Sequence, residues 1–250
     1  MTDLEFITAP ALGAPHAFTT RASGVSLAPF DGLNLGLSTG DRPEAVAQNR
    51  AAVLAAFGTE PEQVCALHQV HGTRILEARA SWFEERADGM TTDRTDLTLV
   101  IGAADCHPLL FHDPVRGVVG AAHAGWRGTV QSIASTMVET MRERYGSDPE
   151  DLWVASGPGI QGDCYQVGTE VIEAFEAEGF DPAVAWPDEE GRYRLDLFAA
   201  NRGRLIRAGV RPDRIETTGH CTHCDPVRFY SHRREGGKTG RHWALIRLPR

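Results

Sequence analysis

Histidine and cysteine gather in three short segments: LHQVHG at 67–72, ADCHP at 104–108 and HAGWRGT at 123–129. Within them His71, Cys106 and His123 offer two imidazoles and one thiolate. Separations of tens of residues exclude a local zinc finger, so any site built from them is assembled by the fold. Such a set suits zinc or copper, and three protein ligands leave a fourth position for water or substrate. An ion with an open position activates water or polarises a bound oxygen or nitrogen, which points to hydrolytic or transfer chemistry. The same residues have a plainer reading, with histidines satisfied in a core and a buried cysteine as inert packing. A third reading makes Cys106 the nucleophile of a hydrolase and a histidine its base. His68, His107, His112, His220 and His223 compete for any ligand role, and spacing does not choose among them.

Around this set lie other candidates. Arg127 sits just before a helix expected to start near Thr129, and a guanidinium beside a helix N-terminus suits phosphate or carboxylate; capping of its neighbours, with Trp126 in the core, is the plainer alternative. Asp105, adjacent to Cys106, is a candidate proton acceptor or a partner orienting a ligand histidine, and equally a turn residue. The glycine-rich run GPGIQGDCYQVG (157–168) carries neither a GxGxxG nor a Walker pattern and is at most a pocket wall. Cys221 and Cys224 form a CxxC without a second CxxC or a histidine pair to complete a structural zinc site, and are read as free thiols.

Period-3.6 patterns predict the elements that would position these residues. A helix is expected over 43–57, started by Asp41 and Pro43 and stopped by Gly58, and another over 129–145 ending at Gly146. Shorter helices are expected from Thr169 to about Glu178 and from Asp196 to Ala208. Short apolar runs predict strands at 97–104, 117–122 and 152–156, buried on both faces. A C-terminal hairpin is expected from 228–233 and 242–248 around EGGKTG. The whole reads as α+β, one domain over residues 1–250 with a large mixed β-sheet flanked by helices.

Composition narrows the function. The chain has 250 residues, 42% hydrophobic, enough for a real core. It lacks any apolar run of about 18 residues, and its start, MTDLEFITAP, is no signal peptide; a cytoplasmic protein with no membrane partner is expected. Five irregularly spaced cysteines fit reduced thiols or metal ligands better than disulfides. A net charge of −9 argues against nucleic acid as a partner. An anionic substrate therefore needs a local basic pocket.

Taken together, TTRASGVSLAPFDGLNLG, GDRPEAVAQNR, LHQVHG, ADCHPLLFHD, HAGWRGT, GPGIQGDCYQVG and FYSHRREGGKTGR resemble the YfiH-type laccase-domain family, also described as multicopper polyphenol oxidases and, for some members, purine nucleoside phosphorylases. The resemblance spans nearly the whole chain. It implies metal ligation by His71, Cys106 and His123, by zinc or alternatively copper, in a single α+β domain. It also implies phosphorolysis of adenosine, inosine and methylthioadenosine, with nucleoside and phosphate as partners, plus adenosine deamination. Copper-dependent polyphenol oxidation and cysteine hydrolysis of cell-wall peptides are the alternatives. Against the former, no two of the ten histidines are spaced i, i+2, whereas laccases build their copper cluster from H-x-H pairs. Gln166 departs from the acidic residue of many relatives.

Overall fold

The computed structural model describes residues 4–81 and 85–249. In chain order the elements are β1 (Phe6–Ile7), β2 (His16–Thr19), α1 (Pro43–Phe57), β3 (Val64–Ala66), β4 (Ile75–Glu77), β5 (Gly89–Thr92), β6 (Thr98–Ala103), β7 (His107–Asp113) and β8 (Val118–Ala124). There follow α2 (Trp126–Val130), α3 (Ile133–Tyr145), β9 (Trp153–Ser156), β10 (Gln166–Val167), α4 (Thr169–Ala177), β11 (Ala185–Pro187), β12 (Tyr193–Leu195), α5 (Leu197–Arg207), β13 (Ile215–Thr217) and β14 (His242–Arg247).

Two large sheets carry the fold, one ordered β1-β2-β14-β6-β3 and the other β13-β9-β7-β8-β5-β4, with β10-β12-β11 as a small third. Both large sheets are mixed, since β3 runs parallel to β6, β4 to β5 and β13 to β9 among otherwise antiparallel pairs. Alternation along each strand divides its residues between two cores. Leu99 and Ile101 of β6 meet Leu110 of β7 and Val119 and Ala121 of β8 between the sheets. Val100 turns outward to Val53 and Leu54 of α1. Leu109, Phe111 and Ala122 turn the other way, onto Met137, Val138 and Met141 of α3. Four layers result, helix on sheet on sheet on helix. A strand covered on both faces has no polar side to show, which is why these segments read as continuous apolar runs.

The α+β class stands, and so do the helices expected at 43–57, 169–178 and 196–208. Gly58 ends α1 in the left-handed conformation (φ 71°), its N–H reaching the Leu54 and Ala55 carbonyls, while Asp196 caps α5 by accepting from the Ala199 N–H. Two expectations are corrected. The helix expected over 129–145 is two helices, split at Ser132, whose φ is 66°. The apolar period runs through the break because both sides are buried, but in different places: Val130 packs with the α4 and α5 cluster and Ile133 against the six-stranded sheet. The C-terminal hairpin does not form. β14 pairs with β2 and β6, and residues 228–233 are a loop, buried at 229–231, in which the Tyr230 N–H donates to His242 Nε2 (2.8 Å) and its hydroxyl to the Phe30 carbonyl (2.9 Å). Strand β7, which begins directly after Cys106, was not anticipated. No described helix is long and apolar enough to cross a membrane.

Candidate metal centre

Three chain segments deliver the three candidate ligands. β7 and β8 form an antiparallel pair in which Pro108 lies opposite His123 and His107 opposite Ala124, so Cys106, just before β7, falls beside His123 near the end of β8. His71 arrives on the loop between β3 and β4 with φ 61°, and Asp105 holds φ 85°. Non-glycine residues in this region store backbone strain, which persists only where surrounding contacts over-determine it. The ligand atoms of His71, Cys106 and His123 lie within 4.8 Å of one another, and the two imidazoles meet edge to face at 4.8 Å between centroids. His123 is buried, Cys106 half-buried and His71 exposed, so the cluster is open on the His71 side.

Asp88, just before β5 and fully buried, builds this arrangement. One carboxylate oxygen receives the His123 Nδ1 (3.0 Å) and the His71 N–H (2.8 Å); the other receives the N–H groups of Val70 (3.1 Å) and Gly72 (2.7 Å). A single carboxylate thus fixes one ligand ring, leaving its Nε2 for the site, and holds the loop bearing another. Despite burial, the bonds from His123 and these amides hold its carboxyl below the usual range. Burial alone would raise the Cys106 thiol and lower His123. Their mutual attraction reverses both, bringing Cys106 down to about 6 and His123 up to about 9. A thiolate is therefore available at neutral pH. Space is kept as well: a Cβ on Gly125 would lie 2.8 Å from Cys106 Sγ and 3.2 Å from His71 Cδ2. Donor chemistry, convergence and clearance fit a divalent ion. Sequence reasoning missed Asp88; its aspartate-glycine pair at the start of a short strand gave no signal for a link to a loop 17 residues before it and a strand 35 residues after it.

The competing histidines are used elsewhere. His107 lies flat on Gly159 and bonds Ser156 Oγ (3.0 Å) and the Ile160 carbonyl (3.1 Å). His112 bonds the Leu12 carbonyl (2.8 Å), His220 packs on Phe229, and His68 makes a backbone bridge with Arg86. Asp105 ties two loops together, accepting from Thr222 Oγ1 (2.6 Å) and the Arg233 N–H (2.7 Å), while its carbonyl accepts from the Ile160 N–H (2.8 Å). Arg127 lies inside the five-residue helix α2, not ahead of a long one, so the expected helix-dipole contribution is small. Its exposed guanidinium stacks over Trp126 at 4.4 Å and makes no hydrogen bond or ion pair among the described residues. Burial pushes the Tyr165 hydroxyl up, and the charges of Cys106, Arg233, Asp105 and Arg127 act on it as well. Gln166 donates to Asp188 (2.7 Å); an acidic side chain here would face that carboxylate. The CxxC cysteines are free thiols but not isolated, since Cys164 and His223 join Cys224 in a second cluster.

A two-histidine, one-cysteine cluster open on one side, carried by a double-sheet α+β domain, has the donor set of a metalloprotein. Residues 15–249 match the family described as multi-copper polyphenol oxidoreductase laccase, and the chain belongs to it. It is 47% identical over 247 residues to a purine nucleoside phosphorylase of Deinococcus radiodurans, covering 99% of this chain and 94% of the relative. It is 38% identical to the purine nucleoside phosphorylase YlmD of Bacillus subtilis, over 92% and 86% of the two chains. Among solved structures, YlmD of Geobacillus stearothermophilus superposes with a TM-score of 0.91 at 35% identity, covering 97% of this chain and 94% of the other. Membership in this family implies metal binding.

Proposed function

We propose that the chain is a purine nucleoside phosphorylase whose divalent ion is held by His71, Cys106 and His123. The observation that carries this reading is the convergence of those ligands, with His71 exposed, in a chain similar along its whole length to proteins named for that activity. In phosphorolysis a phosphate oxygen bonds to the anomeric carbon of the ribose, the bond to the purine nitrogen breaks, and the departing base takes up a proton. Arg127 holds the phosphate dianion through paired hydrogen bonds. Asp105 holds Thr222 and the Arg233 loop against the pocket, keeping its wall in place. Bound at the three ligands, a zinc ion supplies Lewis acidity toward a substrate oxygen or nitrogen. Adenosine deamination belongs to the same reading, with water replacing phosphate as co-substrate. We place the enzyme in the cytoplasm, where thiols remain reduced, acting as one unit over residues 1–250 on small molecules, with no nucleic-acid partner.

Incubation of metal-loaded protein with adenosine or inosine, with and without phosphate, tests the reading. Phosphate-dependent release of free base is expected. Base release indifferent to phosphate would remove phosphorolysis.

One observation favours a second reading. Cys106, His123 and Asp88 form a line of thiolate, imidazole and carboxylate, the arrangement of a cysteine hydrolase acting on peptide amides. Chelation separates the two: a nucleoside phosphorylase loses turnover with its metal, whereas a cysteine hydrolase keeps it and is silenced by alkylation. Copper-dependent phenol oxidation finds less support. Among the described residues no second histidine cluster exists to build a multinuclear copper site.

A further inference from the structure

The second cluster lies on loops that are bonded to Asp105, the residue before Cys106. Cys164 lies within the glycine-rich 157–168 segment, and Cys221, His223 and Cys224 belong to the turn at 220–225. The sulfurs of Cys164 and Cys224 are 2.8 Å apart, and both lie within 4.8 Å of a ring nitrogen of His223. Cys221 stands beside this trio, its sulfur outside the 4.8 Å set and influencing the thiols of both Cys164 and Cys224. Its own sulfur accepts the Gln161 N–H (3.5 Å) and those of His223 and Cys224 within the turn. Backbone donors converging on one cysteine sulfur stabilise a thiolate, the form that ligates metal. In sequence the CxxC has no partner because the partner is 60 residues away.

We propose that Cys164, Cys224 and His223, already converged, with Cys221 drawn in from the same turn as the fourth ligand, form a second, structural zinc site, distinct from the His71–Cys106–His123 centre. Three thiolates and an imidazole are a closed tetrahedral set that leaves no position for substrate. A disulfide between Cys164 and Cys224 would use two of the four groups and leave the amides gathered on Cys221 and the nearby imidazole without a role. Zinc–sulfur bonds of about 2.3 Å place tetrahedral sulfurs about 3.8 Å apart, so binding parts Cys164 and Cys224 by roughly 1 Å, a small motion for two loop side chains.

The site's consequence is mechanical. Thr222, between two of the ligands, donates to Asp105 (2.6 Å) and bonds the Gly159 carbonyl through its N–H (3.1 Å). Arg234 reaches back to the carbonyls of Thr222 (2.6 Å) and His223 (2.9 Å). An ion joining Cys164 to this turn therefore clips together the two loops that hold Asp105 beside Cys106.

Zinc-reconstituted protein, freed of loosely held metal, should carry two equivalents by elemental analysis. Cys224→Ala should lose one and keep the other, Cys106→Ala should do the reverse, and the double variant should lose both. A wild-type content of one equivalent unchanged in Cys224→Ala overturns the proposal, as does loss of the same single equivalent in both variants. If Cys224→Ala fails to fold, iodoacetamide footprinting of the wild-type protein decides. Zinc should shield Cys164, Cys221 and Cys224 from alkylation and chelation should expose them. Equal labelling in both states, or a non-reduced peptide joining Cys164 to Cys224, overturns it.

Discussion

At the residue scale the metal centre rests on Asp88 as much as on its ligands. Replacing Cys106 with serine should strip most of the metal from that site, because a hydroxyl is a poor ligand for a borderline ion; elemental analysis showing full retention at the site would remove Cys106 from the ligand set. Asp88→Asn keeps the volume but removes the charge that orients His123, and outer-shell changes of this kind lower metal affinity by about 10–100-fold. Competition against a chelator of known affinity measures the loss, and unchanged affinity would mean that the backbone alone positions both imidazoles. For Arg127→Lys, the loss of the planar fork should cost on the order of 1–3 kcal/mol in kcat/KM for phosphate, with metal content intact and deamination less affected. Equal losses in both reactions would mark Arg127 as an organiser of the whole pocket.

At the element scale the break between α2 and α3 is the informative feature. Trp126 and Val130 face the α4 and α5 cluster, while Ile133, Met137 and Met141 face the six-stranded sheet. Ser132 lets one chain serve both cores by turning through φ 66°. A β-branched side chain is strained in that conformation, so Ser132→Val should destabilise the fold by about 1–3 kcal/mol, whereas Ser132→Gly should be nearly neutral. Thermal unfolding reads both. A Val variant as stable as wild type would mean that the helices can merge. The break was illegible because an apolar period reports that a face is buried, not which neighbour buries it. Residues 228–233 misled for a related reason: Phe229 and Tyr230 are apolar and fully buried as a loop, satisfied by His242 and by the 30–31 carbonyls, with no strand partner required.

At the scale of the whole molecule, buried His242 adds to the loss of stability expected in acid. Burial, reinforced by Arg21 and Arg241, holds His242 neutral and its value down to about 3, while its Nε2 accepts the Tyr230 N–H. The unfolded histidine titrates near 6.5. Between these values the unfolded chain binds the extra proton, so stability is full above about pH 6.5 and falls as pH drops, at up to about 1.4 kcal/mol per unit for this one group. Denaturant unfolding at pH 7 and pH 5 should show the decline, and His242→Gln, which keeps an acceptor for Tyr230, should flatten it. An unchanged slope in that variant would assign the acid response to other groups.

Much of this protein is written locally. Proline at 43 and glycine at 58 bound a helix through backbone geometry, and runs such as TLVIGA are strands covered on both faces. The types of the metal-binding side chains, and their place at strand ends, follow from short motifs. Tertiary structure alone decided what meets across the fold: that a carboxylate at 88 supports ligands at 71 and 123, that the thiol at 164 joins those at 221 and 224, and that Asp105 is held between loops more than a hundred residues further on. The physical reason is that capping, backbone dihedrals and amphipathic period act over a few neighbouring residues, whereas hydrogen bonds and metal ligation depend on distances that only the pairing of β7 with β8 and the packing of one sheet on the other bring below 5 Å.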